Sequence, residues 1–407
     1  MRLAVELQGT IVGHLDGNSR TFDFEPTPQG LARFGVNSRA LSVSIPLIPR
    51  QRRDRAGRRR NWFAELLPEG DQYEYLLLQG GIKRGDTLSF LARYGRDVAG
   101  ALQIWDVDDP TEPLTPELRP VSRAEVRRLL EDPIGAPLAN DSVGGKSSLG
   151  GVQPKVVLVN TGAGWAQALG GYPSTHILKP QLPGTRSSVI FDEEYGARIA
   201  TRLGLAAFST TIEVFDGLPA LVMERFDRSD VGRVHQEDMS QALGARGNEK
   251  YQALGGVVSL QRIADLLERH GLYADTHVLA RMVVLAVGIG NLDMHTKNLG
   301  LLHGRGGEVS LAPAYDVVPQ AHHSNDGELA LAVNKKYRHV DITAQDLVAE
   351  FDSWGMRDSE RFVNAALGEL REAVRAEEPH ASAFPELRTQ ILGFVSNLRA
   401  GTSVGGV

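Results

Sequence analysis

Leu3, Val5 and Leu7 alternate with other residues, Ile11-Val12 follows Gly9, and Phe22 and Phe24 alternate again after Gly17-Asn18-Ser19. Period-two alternation broken by turn residues predicts a small antiparallel meander over residues 2–25. Trp62 to Gly70 leads into a helix through Tyr75 to Gln79, while Phe90-Leu91-Ala92 and Ala101 to Trp105 read as buried elements. Asp106 to Pro120, rich in Asp, Pro and Thr, marks a first boundary. From residue 135 the chain is Gly- and Ser-rich until Val156-Val157-Leu158-Val159, which predicts a strand, and His176 to Pro180 predicts a second one ended by proline. Tyr195, Ile199 and Leu203 fall four apart, so a helix is expected from Phe191 to Leu203, stopped by Gly204. Ile212 to Phe215 and Leu218 to Met223 predict a hairpin around Asp216-Gly217.

Beyond Ser229 the period lengthens. Leu260, Ile263 and Leu267 form a helical stripe ending at His270-Gly271, and Asp275 to Val287 is apolar enough for a buried helix. Leu347 with Phe351, Phe362 with Ala366 and Leu370, and Ile391 with Val395 and Leu398 mark three more helices. The tail Gly401 to Val407 lacks such a pattern and is expected to fray. The expected division is an N-terminal subdomain at 1–108, a mixed β/α lobe at 109–228, an all-helical lobe at 229–400 and a flexible tail at 401–407.

Composition narrows the picture. Hydrophobic residues make up 42% and charged residues 23%, ordinary for a globular protein. The net charge of −6 argues against a globally basic nucleic-acid binder. The absence of cysteine excludes disulfides, thiolate metal sites and cysteine nucleophiles. An acid as early as Glu6 argues against a signal-peptide core, and the apolar stretch near Met282 to Gly290 is too short to span a bilayer. A soluble cytoplasmic protein with no membrane partner is expected. Arg50 to Arg60 holds seven arginines and one Asp, either a phosphate or nucleic-acid contact or a solvated loop.

The chemistry concentrates in Gly290-Asn291-Leu292-Asp293-Met294-His295-Thr296-Lys297-Asn298 and in Tyr315-Asp316 downstream. An Asp followed five residues later by an Asn, then by a second Asp, is the spacing used in phosphoryl transfer. Asp293 is expected to orient and deprotonate a hydroxyl, Asn298 and Asp316 to hold Mg²⁺, and His295 and Lys297 to lie against ATP phosphates. The phosphate-loop candidate is Ser147-Ser148-Leu149-Gly150-Gly151-Val152-Gln153-Pro154-Lys155, feeding the strand at Val156; Pro154 stiffens it. Lys179 is the phosphate-lysine candidate, with Glu194 or Glu193 on the following helix as its partner. Val222 to Arg228 can supply an adenine hinge through Glu224 and Phe226.

Together with Asn61 to Gly70, Tyr94 to Ala101, Thr175 to Lys179, Glu224 to Arg228, Gln236 to Met239 and Leu311 to Asp316, these segments resemble the HipA-type serine/threonine kinases over nearly the whole chain. The resemblance implies an α+β, protein-kinase-like two-lobe fold with an extra β-rich N-terminal subdomain, and use of ATP and Mg²⁺. It implies autophosphorylation at Ser148, with Ser147 as the adjacent alternative. It also implies a HipB-like helix-turn-helix antitoxin, operator DNA reached through that antitoxin, and an aminoacyl-tRNA synthetase, such as glutamyl-tRNA synthetase, as substrate. Two other readings of the residues exist. One is an ATP-binding co-repressor acting through an antitoxin–DNA complex, favoured by the arginine run. The other is a metal-dependent hydrolase using Asp293, His295, Asp316 and His322 or His323.

Overall fold

The structure is a computed structural model, and it describes residues 1–133 and 146–406. Much of the Gly- and Ser-rich stretch expected from 135 onward lies outside the described residues. The chain packs as two compact units. The first comprises Met1–Pro180, Glu213–Arg246 and Leu302–Val309, and the second Gln181–Ile212, Gly247–Leu301 and Ser310–Val407.

The first unit is built on two sheets. A four-stranded antiparallel sheet has the order Phe22–Pro26, Thr10–Gly17, Arg2–Leu7, Leu102–Asp106. The predicted meander supplies three strands, and the buried segment near Ala101 returns to pair with the first. Leu3, Val5 and Leu7 point into one core with Trp62, Phe63, Phe90 and Leu91, which come from the helices Ala56–Ala64 and Thr87–Tyr94. Alternation therefore puts one face of the sheet against helices. The second sheet has the order Glu117–Val121, Trp165–Leu169, Val156–Asn160, His176–Pro180, Leu218–Glu224, Thr210–Phe215. Its core gathers Val156, Leu158, Trp165, Leu178, Ala220 and Val222 with Val126, Leu129 and Leu130. The last three lie on the helix Arg123–Glu131, whose start is fixed by a reciprocal capping box between Ser122 and Glu125.

The second unit is mainly helical. Tyr273–Ile289 is buried almost continuously from Leu279 onward, as a helix apolar on all sides must be. It packs against Leu260–Arg269, Ser359–Ala376 and Leu387–Arg399. The helix Val189–Arg202 also packs on Ser359–Ala376, and Tyr195 donates its hydroxyl to Val374 O at 3.2 Å.

Two expectations need correction. The region after residue 229 is not all helical, because His235–Asp238, Gly300–His303, Val309–Leu311, Glu328–Val333 and Lys336–Arg338 are strands. Most are too short for alternation to be read, and Glu328–Val333 is apolar from Leu329 onward, so it has no period two. Nor does the tail fray at 401–406. Val404 is buried, its N–H donates to Ile342 O at 2.8 Å, and Ser403 bridges Thr343. Main-chain hydrogen bonds hold this segment, and they leave no side-chain pattern.

Candidate active site

The buried helix Tyr273–Ile289 ends at Gly290, whose φ of 72° turns the chain left-handed and starts the loop that carries Asp293. Gly290 O then accepts Gln320 N at 2.8 Å and Ala321 N at 3.1 Å, stitching this loop to the segment after Asp316. The loop closes on itself. His295 N donates to Asp293 O at 2.8 Å, Asn298 N to His295 O at 2.9 Å, and Asn298 Nδ2 to Asp293 O at 2.8 Å. With its amide nitrogen engaged, Asn298 keeps Oδ1 as its acceptor. Asp293 keeps its carboxylate 38% exposed, with the Tyr251 hydroxyl donating to Oδ1 at 3.2 Å and His295 Nε2 at 3.8 Å from the same oxygen. The Tyr251 ring meets His295 edge-on at 5.2 Å and holds the imidazole in place. Tyr315 donates its hydroxyl to Lys297 O at 2.8 Å, and the next residue, Asp316, has a φ of 55°. A non-glycine residue in that region costs about 1–3 kcal/mol and persists where surrounding structure imposes it. Asp293, His295, Lys297, Asn298 and Asp316 thus all belong to the second unit. Asn298 Oδ1 and the Asp316 carboxylate are hard oxygen donors of the kind that suit Mg²⁺.

The other predicted residues belong to the first unit. Lys179 is 4% exposed and lies opposite Leu221 in the sheet. Glu224 pairs with His176 at the end of the same ladder and is exposed, while Phe226 is half-buried. Ser147 and Ser148 are both buried. Ser148 N donates to Asp97 O at 2.9 Å and its hydroxyl donates to Leu66 O at 2.8 Å. Lys155 curls back so that Nζ donates to Gly150 O at 2.8 Å, and a Cβ on Gly151 would lie 2.5 Å from that ammonium. Gly151 also has a φ of 97°, a left-handed conformation that favours glycine. Val152 is exposed, and Gln153 is half-buried.

Beneath this loop lies a buried ionic cluster whose charged residues fall in the motifs quoted above, while Ser174 stands just before one of them. Asp97 Oδ1 lies 2.9 Å from Arg228 Nη2, and Oδ2 accepts from Ser174 Oγ at 2.6 Å and lies 3.7 Å from Arg225 Nη1. Arg225 forks onto Asp227 at 2.9 and 2.8 Å, and Gly100 N donates to Asp227 Oδ2 at 2.6 Å. Burial alone would raise both carboxyl groups, yet the guanidinium groups of Arg225 and Arg228 hold them below the ordinary carboxylate range. The cluster ties the strand-end segment at 225–228 to Asp97, whose backbone seats Ser148.

Other expectations are sharpened. Glu194 is engaged by Arg198 at 2.6 Å on its own helix, whereas its neighbour Glu193 is buried. His322 and His323 gather around Asp192, not Asp293. The arginine run is neither a bare phosphate patch nor a solvated loop throughout. Arg59 forks onto Asp23 at 2.6 and 2.7 Å, and Arg58 donates to Ala242 O at 2.7 Å, leaving Arg50, Arg52, Arg53 and Arg55 exposed. Residues 56–64 form a helix that places Arg59 inward beside Trp62 and Phe63, which nothing in a count of charges reveals.

Residues 3–105 match the family model of the HipA N-terminal domain, and residues 147–377 that of the HipA-like C-terminal domain. The serine/threonine-protein kinase toxin HipA of Shewanella oneidensis is 28% identical over 375 residues, covering 83% of this chain and 85% of that protein. Y4mE of Sinorhizobium fredii, whose kinase designation is provisional, is 33% identical over 325 residues, 76% of this chain and 75% of that one. Among solved structures, the chain is similar to one in the complex of Shewanella oneidensis HipA, HipB and operator DNA. The TM-score is 0.80 at 26% identity, covering 98% of this chain and 99% of the other.

Proposed function

This chain belongs to the HipA family, and from that premise we propose that it is a serine/threonine protein kinase using ATP and Mg²⁺ and acting as the toxin of a toxin–antitoxin pair. The observation that carries this reading is the loop Gly290 to Asn298. It presents the Asp293 carboxylate while its own hydrogen bonds fix Asn298. Asp293 accepts the proton of the attacking hydroxyl, and Tyr251 and His295 set its orientation. Asn298 and Asp316 hold the metal ion, which when bound neutralises phosphate charge. Lys179 is the phosphate lysine, backbone N–H groups near Gly150 and Gly151 bind phosphate, and Lys297 adds charge. Glu224 to Phe226 receives the adenine.

Ser148 is the proposed autophosphorylation site. Its hydroxyl is buried against Leu66 O, so transfer requires the segment to leave its seat first. The added charge then opposes return to that buried position. The likeness to the Shewanella complex supports a HipB-like antitoxin and, through it, operator DNA as partners. An aminoacyl-tRNA synthetase substrate rests on the family resemblance alone. Among the described residues no helix is long and apolar enough to cross a membrane, and action in the cytoplasm is part of the proposal. The second reading, an ATP-binding co-repressor, is favoured by the four exposed arginines between 50 and 55. Neutralising them flattens the salt dependence of complex–DNA affinity if it holds.

The test of the kinase reading is transfer from labelled ATP with Mg²⁺, comparing wild type with Asp293→Asn, folding verified for both. Label on the wild-type protein alone supports it, and no label on either rejects it. Phosphoproteomics after inducing the same pair names the substrate and the self-labelled serine together.

A further inference from the structure

One polar cluster in the second unit lies outside the catalytic loop. Asp192, on the helix Val189–Arg202, is fully buried. His322 and His323 come from the segment that follows Asp316. Asp192 Oδ2 lies 3.2 Å from His322 Nε2 and 3.7 Å from His323 Nε2, and one ligand atom from each residue falls within 4.8 Å of the others. The carboxylate is held from behind: Phe384 N donates to Oδ1 at 2.8 Å, and Ser188 Oγ donates to Oδ2 at 2.7 Å.

The hydrogen bonding around Oδ2 is incomplete. His322 is within reach of it, but 3.7 Å is too long for a hydrogen bond from His323, whose Nε2 is buried with no partner. Leaving such an atom unsatisfied costs about 1–3 kcal/mol. Two imidazoles whose centroids are 4.1 Å apart turn their Nε2 atoms toward one carboxylate oxygen that already accepts a hydroxyl. As an ion pair this is a poor arrangement. As a set of converging ligands it is a good one. Tetrahedral ligands at about 2.0–2.1 Å from zinc stand roughly 3.3 Å from one another, and the two measured separations lie close to that figure.

We propose that Asp192, His322 and His323 bind a divalent transition-metal ion of the zinc class, through Asp192 Oδ2 and the two Nε2 atoms. Two nitrogens and one oxygen favour such an ion over Mg²⁺, which separates this site from the pair Asn298 and Asp316. Ser188 Oγ or water completes the shell. His322 Nδ1 is buried without a partner, so the outer hydrogen bond that commonly orients a bound imidazole is lacking. The stack of that ring on Phe384, at 4.2 Å and 14°, orients it instead. The ion would clamp the helix bearing Glu193 to the segment after Asp316, so transition-metal supply becomes an input to the same part of the fold that carries the Mg²⁺ ligand.

The test uses tag-free full-length protein without nucleotide, titrated with Zn²⁺ alone and, separately, with Co²⁺ as a spectroscopic probe. One equivalent of Zn²⁺ per chain is expected, with tetrahedral Co²⁺ absorption that Zn²⁺ displaces and millimolar Mg²⁺ does not. His323→Ala should weaken binding by at least about tenfold. His323 is 20% exposed, so this variant keeps the fold even where Asp192→Asn does not. No stoichiometric Zn²⁺, or the same affinity in wild type and His323→Ala, overturns the proposal. The readout is metal binding, so either result is independent of whether the protein transfers phosphate.

Discussion

Two loops of this chain carry reactive groups and surround them in opposite ways. The loop at 147–155 buries Ser147, Ser148 and Lys155, and closes their hydrogen bonds on Asp97, Leu66 and Gly150. The loop at 290–298 buries Asn291, His295 and Thr296 but keeps the Asp293 carboxylate part-exposed. The first stores its groups and the second presents one. A hydroxyl donating to a carbonyl inside the protein cannot meet a phosphoryl donor without moving, whereas a carboxylate on a braced loop can take a proton where it stands.

The largest expected effect breaks the presenting loop. Asp293→Asn should lower phosphate transfer from labelled ATP by about 10²–10⁴-fold, the usual range for a lost general base. Its urea midpoint should stay close to that of wild type, because the side chain it changes is part-exposed. A comparable loss of folding would mean that Asp293 supports the loop rather than being supported by it. Next comes the storing loop. Arg225→Ala removes the fork on Asp227 and a cation near Asp97, leaving two buried carboxylates under-compensated. Breaking such a pair by removing one partner costs about 3–5 kcal/mol. Chemical denaturation measures that loss, and limited proteolysis near Lys155 should show the seat of Ser148 loosened before the rest of the unit.

The same contrast explains how much the sequence disclosed. The presenting loop was legible as a local unit because Asp293 and Asn298 lie in one nine-residue run and are joined by local hydrogen bonds. The meander, the hairpin and the long helices were legible because period two or a four-residue spacing repeats several times in each. The seat of the storing loop was not. Asp97 and Ser174 are far from each other and from the pair Arg225 and Arg228 in the chain, and their burial is decided by which strands become neighbours. Asp192 with His322 is the same case at 130 residues of separation. Charged residues in a sequence read as surface by default, so buried charge is what a linear reading loses first.

A smaller effect, on pH, tests the first unit further. His235 is buried, with Nε2 against Leu41 O at 2.8 Å and His303 and Glu237 nearby. Burial first, and the His303 ring next, press its pKa down to about 4 from the usual 6.5. Between those values the unfolded chain binds the proton and the folded one does not. Stability from this group is therefore complete above pH 6.5 and is lost as pH falls toward 4, by about 1.4 kcal/mol per pH unit for one proton. Urea midpoints at pH 7.5, 6.5, 5.5 and 4.5 measure the slope. Buried Glu237, also held low, adds loss of the same sign in the most acidic samples. His235→Gln should remove one proton's share of the slope between pH 6.5 and 5, and an unchanged slope would place the acid sensitivity elsewhere.

The smallest change bears on storage most directly. Ser148→Ala deletes the hydrogen bond to Leu66 O and keeps the rest of the seat, so it should cost about 1 kcal/mol. Self-labelling should vanish in this variant while transfer to other proteins continues. Ser148→Asp puts a charge where a neutral hydroxyl was buried, and the seat offers Leu66 O, an acceptor with no proton to give. The two variants should therefore part company in proteolysis. Cleavage after Lys155, slow in wild type because that lysine is buried, should stay slow in Ser148→Ala and become fast in Ser148→Asp. Equal cleavage rates in the two variants would mean that the loop leaves its seat without regard to charge, and the contrast between a storing and a presenting loop would then describe packing alone.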